Sequence, residues 1–140
     1  MKLITRETDY ALRSLCFISG RGKEIFSVAQ LCAELRVPGP FLRKILQSLN
    51  KKGILKSVRG QCGGFRLAGD PSNIYLTDIM RVFQGQFRLN ECFLHRLACP
   101  DQKFCPLRKK IAKIERYVFK ELGAISVASL LKSKNKQPGR

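Results

Sequence analysis

The stretch Ser27-Val28-Ala29-Gln30-Leu31-Cys32-Ala33-Glu34-Leu35-Arg36-Val37-Pro38-Gly39-Pro40-Phe41-Leu42-Arg43-Lys44-Ile45-Leu46-Gln47-Ser48-Leu49-Asn50-Lys51-Lys52-Gly53 decides the fold. Ser27 suits an N-cap, and Val28, Leu31, Cys32 and Leu35 follow at helical spacing. Arg36 to Pro40 ends that helix, because two prolines and a glycine cannot continue it. A second helix is expected from Pro40 or Phe41, with Leu42, Ile45, Leu46 and Leu49 turned inward. It should stop at Lys51-Lys52-Gly53, basic residues followed by a glycine. Two short helices on so tight a connection read as a helix-turn-helix.

On the C-terminal side come Ile54 to Arg59, then Gly60-Gln61-Cys62-Gly63-Gly64, then Phe65-Arg66-Leu67. Strand, glycine-rich loop and strand make a β-hairpin, and directly after a helix-turn-helix a hairpin is a wing. On the N-terminal side, Tyr10, Ala11, Leu12, Leu15, Cys16 and Ile18 fit a helix from Thr8 to about Ser19, with Thr8 or Asp9 as its cap and Gly20-Arg21-Gly22 as its stop. Beyond the wing, Thr77-Asp78 is expected to cap a fourth helix ending at Gly85. From Pro106 to Leu122, apolar Leu107, Ile111, Ile114, Val118 and Leu122 form one stripe opposite Arg108, Lys109, Lys113 and Arg116. That stripe packs either on its own domain or on a twin helix, and the small N-terminal domain favours a homodimer. Ser126 to Leu131 reads as a short last helix.

The fold class expected is therefore mainly α with a small β-hairpin wing. A winged helix-turn-helix spans 1–88 and a cysteine loop 89–106. A dimerisation helix with the terminal helix spans 107–131, and a disordered basic tail 132–140.

Composition agrees with a nucleic-acid partner. The 140 residues carry 27 Lys and Arg against 10 Asp and Glu, a formal net charge of +17. Both halves are basic, 15 against 6 through Leu89 and 12 against 4 after it. A whole face rather than an arm should meet a polyanion, and double-stranded DNA is the first candidate. No apolar run is long enough to span a bilayer, and the first residues do not read as a signal peptide, so a cytoplasmic protein without a membrane partner is expected. With no Gly-rich nucleotide loop, no Ser/His/Asp arrangement and a lone His95, neither an enzyme nor a small-molecule substrate is expected.

Removing the inward set from the second helix leaves Arg43, Lys44, Gln47, Ser48, Lys51 and Lys52 to face DNA. Arg43 can fork onto a guanine and Gln47 can address an adenine. Lys51 and Lys52 suit phosphates, which position without specifying. Arg59, at the base of the wing, suits an adjacent minor groove.

Six cysteines are present: Cys16, Cys32, Cys62, Cys92, Cys99 and Cys105. Cys16 and Cys32 sit among apolar residues at helical spacing and read as core. Cys92, Cys99 and Cys105 cluster in one loop, with His95 between the first two. Three thiolates can hold three irons of a 4Fe–4S cluster, the fourth ligand coming from elsewhere. Cys92, His95, Cys99 and Cys105 also form a Cys3His set for zinc, though without a tight CxxC knuckle. A metal-free loop is the third reading.

Taken together, the chain resembles the iron–sulfur winged-helix transcriptional repressors of the IscR, NsrR and RirA type. The resemblance runs through Thr8-Asp9-Tyr10-Ala11-Leu12-Arg13, the segment Phe41 to Lys51, the wing Val58-Arg59-Gly60 with Gly63-Gly64, and the three-cysteine loop. It implies a homodimer paired through the long helix and an iron–sulfur cluster on Cys92, Cys99 and Cys105, of the 4Fe–4S rather than the 2Fe–2S kind. The cluster would lie near the partner subunit's wing and DNA-binding helix. The fourth ligand implied by NsrR-like relatives is an aspartate of the other subunit, which maps onto Asp9. His95 is a local contender. The histidine that IscR-like relatives carry after the third cysteine is absent, because Arg108 stands there. Cys62 in the wing is unusual for the family, either a passive surface thiol or a redox-reactive one. The function implied is a DNA-binding repressor whose operator affinity is gated by a cluster sensing nitric oxide, iron or redox state. A structural zinc site or a metal-free loop on the same DNA-binding domain is the alternative.

Overall fold

The computed structural model describes residues 2–89, 99–100 and 103–136. Six α-helices and one hairpin follow in order: α1 (Arg6–Ser19), α2 (Val28–Leu35), α3 (Gly39–Lys51), β1 (Leu55–Val58), β2 (Gly64–Leu67), α4 (Leu76–Gln84), α5 (Pro106–Gly123) and α6 (Val127–Asn135). A single 3₁₀ turn at Pro71–Asn73 links the hairpin to α4.

Apolar spacing explains the packing. Leu42, Ile45, Leu46 and Leu49 all lie on the buried side of α3. They meet Leu15, Ile18, Leu31, Leu55 and Ile79 in one core. Helix α1 sits at its centre, packed against α2, α3, α4, α6 and β2. Burying such side chains stabilises each by roughly 1.5–3 kcal/mol, which is why the short α2 and α3 hold their places.

Caps set the helix starts. Ser27 accepts from the Gln30 amide at 3.1 Å while the Gln30 side chain accepts from the Ser27 amide at 2.8 Å, a reciprocal capping box. Helix α2 ends on Arg36 in the left-handed conformation, φ 54°, with its N–H bonded to the Cys32 carbonyl. Two expected caps are corrected. Helix α1 starts at Arg6 with Thr5 as its cap, not at Thr8 or Asp9. Thr8 is instead buried, its hydroxyl donating to Gln84 Oε1 at 2.8 Å, and that oxygen also accepts the Thr5 amide at 3.1 Å. Helix α4 starts at Leu76 with Tyr75 as its N-cap, so the expected caps Thr77 and Asp78 both lie within the helix. Asp78 lies inside its first turn and accepts the Tyr75 amide at 3.3 Å.

In the hairpin, Leu55 pairs with Leu67, Lys56 with Arg66, Ser57 with Phe65 and Val58 with Gly64. Phe26, just before α2, adds an antiparallel bridge to Phe65, with N···O distances of 2.9 and 2.8 Å. The approach is so close that a Cβ on Gly64 would run into the Phe26 backbone.

The tail expected to be disordered from Lys132 is corrected in part, since α6 runs on through Asn135. Leu130 and Leu131 pack against the core, and Lys132 and Lys134 in the last turn suit the negative helix end.

Candidate DNA interface and cysteine site

Arg43, Lys44, Gln47, Lys51 and Lys52 are all exposed, on the side of α3 away from Leu42, Ile45 and Leu49. Ser48 is half-buried, and its hydroxyl donates to the Lys44 carbonyl at 2.9 Å. Its proton is therefore held by the helix, leaving Ser48 as an acceptor only. Arg59 is exposed in the hairpin loop, beyond the last paired residue Val58. Asn50 Oδ1 accepts the Ser57 amide at 3.1 Å, tying the C-terminal end of α3 to β1. The wing and the basic face of α3 thus hold one orientation.

Charge pairing leaves this face positive. Among the described residues the ion pairs are Asp9–Arg13 at 3.0 Å and Asp78–Arg81 at 3.9 Å. Neither involves the basic residues of α3 or the wing. Such a surface suits the phosphate backbone, where Lys and Arg displace condensed counterions.

Of the expected metal ligands, Cys92 and His95 lie outside the described residues. Cys99 and Cys105 are free and half-buried. Cys105 is the N-cap residue of α5, and its carbonyl accepts the Lys109 amide at 3.3 Å. Its side chain caps nothing, so the sulfur is left for another partner. Lys109 closes the first turn and Lys110 follows it, with no acidic residue in that turn. Together with the positive helix end they would offset the charge of a thiolate-bound metal. The donor chemistry fits a thiolate-held group. No three His, Cys, Asp or Glu side chains are gathered among the described residues. Asp9, the other expected ligand, sits in the first turn of α1 and pairs with Arg13.

Helix α5 attaches to the rest through one side. Phe119 stacks near Phe87 at 5.9 Å, and the Glu115 carboxylate accepts the Leu89 amide at 2.9 Å. The apolar stripe read from the sequence is only partly covered. Ile111, Val118 and Leu122 are half-buried, but Leu107 is 67% and Ile114 54% exposed, with Tyr117 at 66% beside them. No residue of α5 is fully buried.

Gln84, which bonds Thr5, Thr8 and the Leu3 carbonyl, escaped sequence reasoning, as did the Glu115–Leu89 contact. Both join residues far apart in the chain, and no local pattern signals either.

A helix-turn-helix with a hairpin wing braced against its second helix, and a basic face on that helix, defines a winged-helix DNA-binding regulator. The family model for Rrf2, described as iron-dependent transcriptional regulator, matches residues 4–133. The chain belongs to the Rrf2 family of transcriptional regulators, and it is not an enzyme. It is 31% identical to Protein aau3 of Rhizobium meliloti over 132 residues, covering 94% of this chain and 86% of that protein. It is 29% identical to the HTH-type transcriptional regulator NsrR of Bacillus subtilis, covering 87% of this chain and 90% of that one. Among solved structures, the cysteine regulator CymR of B. subtilis superposes with a TM-score of 0.80 at 21% identity, over 95% of this chain and 98% of that one. IscR of T. potens superposes at 0.74 and 23% identity, over 100% and 94%. Both share the winged-helix fold. Among the described residues no helix is long and apolar enough to cross a membrane.

Proposed function

We propose that the chain is a homodimeric transcriptional repressor whose operator affinity is gated by an iron–sulfur cluster, 4Fe–4S rather than 2Fe–2S, on Cys92, Cys99 and Cys105. Asp9 of the partner subunit, or His95, is the fourth ligand. The observation that carries the reading is the continuity of the cysteines with α5: Cys105 is the N-cap of the helix that leaves Leu107 and Ile114 exposed. A twin helix covering that stripe would place two recognition helices at a fixed separation, as half-site reading requires.

Arg43 and Gln47 read base edges, Lys44, Lys51 and Lys52 contact phosphates, Ser48 accepts from a donor on a neighbouring base edge, and Arg59 enters the minor groove. The winged helix over 1–88 reads DNA, the loop over 89–106 holds the cluster, and the helices over 107–131 pair the subunits. Cys92, Cys99 and Cys105 would hold the cluster, which would tie the loop to the start of α5, and nitric oxide, oxygen or loss of iron would remove that tie. Released, Cys105 no longer anchors the start of α5, and the two reading heads lose their set spacing. Affinity then changes by the difference in stability between the two arrangements.

Anaerobic purification followed by an absorption spectrum, with iron, sulfide and zinc analysis on the same sample, tests the reading. A brown protein with matched iron and sulfide, bleached by nitric oxide or air, supports it. A colourless protein with stoichiometric zinc, or with no metal, overturns the gating and leaves a winged-helix regulator with a structural or metal-free loop.

A further inference from the structure

We infer that the recess behind the wing is a binding site for a small multivalent oxyanion of the phosphate class. The recess, about 500 Å³, lies between the end of α1, the outer face of the hairpin and the segment entering the 3₁₀ turn. Ser19, Lys23, Lys56, Arg66, Gly69 and Pro71 contribute to its wall. Its volume falls in the range of small-molecule sites.

Three observations converge there. First, the lining holds three cations, Lys23, Lys56 and Arg66, and no carboxylate. None of the three takes part in an ion pair among the described residues. Second, Lys56 and Arg66 are direct cross-strand partners. Like charges placed opposite each other repel, so the register carries a cost that an anion between them would reverse. Third, Ser19 Oγ and Arg66 Nε are both buried without a hydrogen-bond partner. Buried polar atoms are seldom left so, because each loses its water without replacement.

A phosphate entering the recess could be met by the Lys23 and Lys56 ammonium groups and the Arg66 guanidinium, with modest rotation of Arg66 and Ser19 toward it. Neither Arg66 Nε nor the Ser19 hydroxyl would give up an existing bond, since neither makes one. Because both orphaned atoms lie beneath the surface, the recess favours a ligand that enters over a duplex backbone crossing its rim. The site uses none of the cysteines and stands or falls independently of the cluster.

Titration of the full-length protein with inorganic pyrophosphate at low ionic strength, followed by calorimetry and amide chemical shifts, tests the site. Saturable binding is expected, with shifts confined to residues 19–23, Lys56, Arg66 and Gly69. Lys56→Gln, at an exposed position, should weaken it about tenfold or more while leaving the fold intact. Arg66→Gln should act in the same direction, and Lys120→Gln on α5 should leave the affinity unchanged. Non-saturating shifts spread over α3 and the wing tip, or equal affinity in Lys56→Gln, would overturn the proposal. So would shifts at these residues on adding duplex DNA but none with pyrophosphate.

Discussion

The Leu89 amide donates to the Glu115 carboxylate at 2.9 Å, across 26 positions of the chain. The chain therefore enters the cysteine-bearing segment pinned to the middle of α5 and returns from it at Cys105, the cap of the same helix. Glu115→Ala removes a charged acceptor from a part-buried amide and should destabilise the protein by about 1–2 kcal/mol. Hydrogen exchange at Leu89 should rise well above that at amides in α3, and unchanged protection there would show that the contact anchors nothing.

The exposed stripe of α5 gives a second expectation. Leu107→Glu with Ile114→Glu should convert a dimer to a monomer by light scattering and sharply weaken operator binding. Because both side chains are exposed, monomer stability should move by no more than about 0.5 kcal/mol per site. A double variant that remains dimeric rules out this helix as the seam.

Arg43 and Lys51 should separate specificity from affinity. Arg43→Ala should cost about 1–3 kcal/mol on the operator and relax the preference at one base pair. Lys51→Ala should weaken operator and random DNA alike and lower the salt slope by about one. Footprinting and anisotropy over a salt series distinguish the two. A uniform loss in Arg43→Ala would place that residue on phosphate.

Asp9 allows a clean contrast between scaffold and ligand. Its pair with Arg13 is about half exposed on both sides and contributes roughly 0–1 kcal/mol. Asp9→Ala should hardly move the melting temperature, yet it should speed cluster loss under nitric oxide if Asp9 is the fourth ligand. Equal rates in the two proteins would leave Asp9 as a surface ion pair and turn attention to His95.

Cys16 links burial to alkaline stability. Burial pushes its thiol up from the ordinary value, with Lys134 pulling weakly the other way. In the unfolded chain the thiol ionises near pH ~8.5, whereas in the native state it keeps its proton. The unfolded state therefore binds fewer protons above that point, and stability falls as pH rises through the window. Urea midpoints across this range should decline less steeply in Cys16→Ala than in the parent. Identical slopes would mean that Cys16 ionises as easily folded as unfolded.

Much of the DNA-binding head was legible because its signals are local. Leu42, Ile45, Leu46 and Leu49 announce the inner face of α3 by spacing alone, and Ser27 with Gln30 announces the start of α2. The misplaced caps have a common cause. Thr8 looks like a cap in its own neighbourhood, but Gln84, 76 positions away, draws its hydroxyl inward and hands the capping role to Thr5. The end of α6 was missed for a similar reason. Lys132 to Asn135 looks like a polar tail until Leu130 and Leu131 fix the turn before it against the core. In the cysteine site, residue types and spacing were legible. The place of Cys105 just before a helix starting at Pro106 was legible too, whereas the absence of a capping bond from its side chain depends on the local geometry in space.

The contact of Gly64 with Phe26 restricts how any signal can act. The wing is riveted to the approach to α2, and Asn50 fastens the far end of α3 to the same hairpin, so each reading head is a single stiff tool. A signal has little hold on the shape of such a tool. In the homodimer proposed above, what it could adjust is the gauge between two of them, as with a pair of callipers whose jaws are fixed and whose hinge is free.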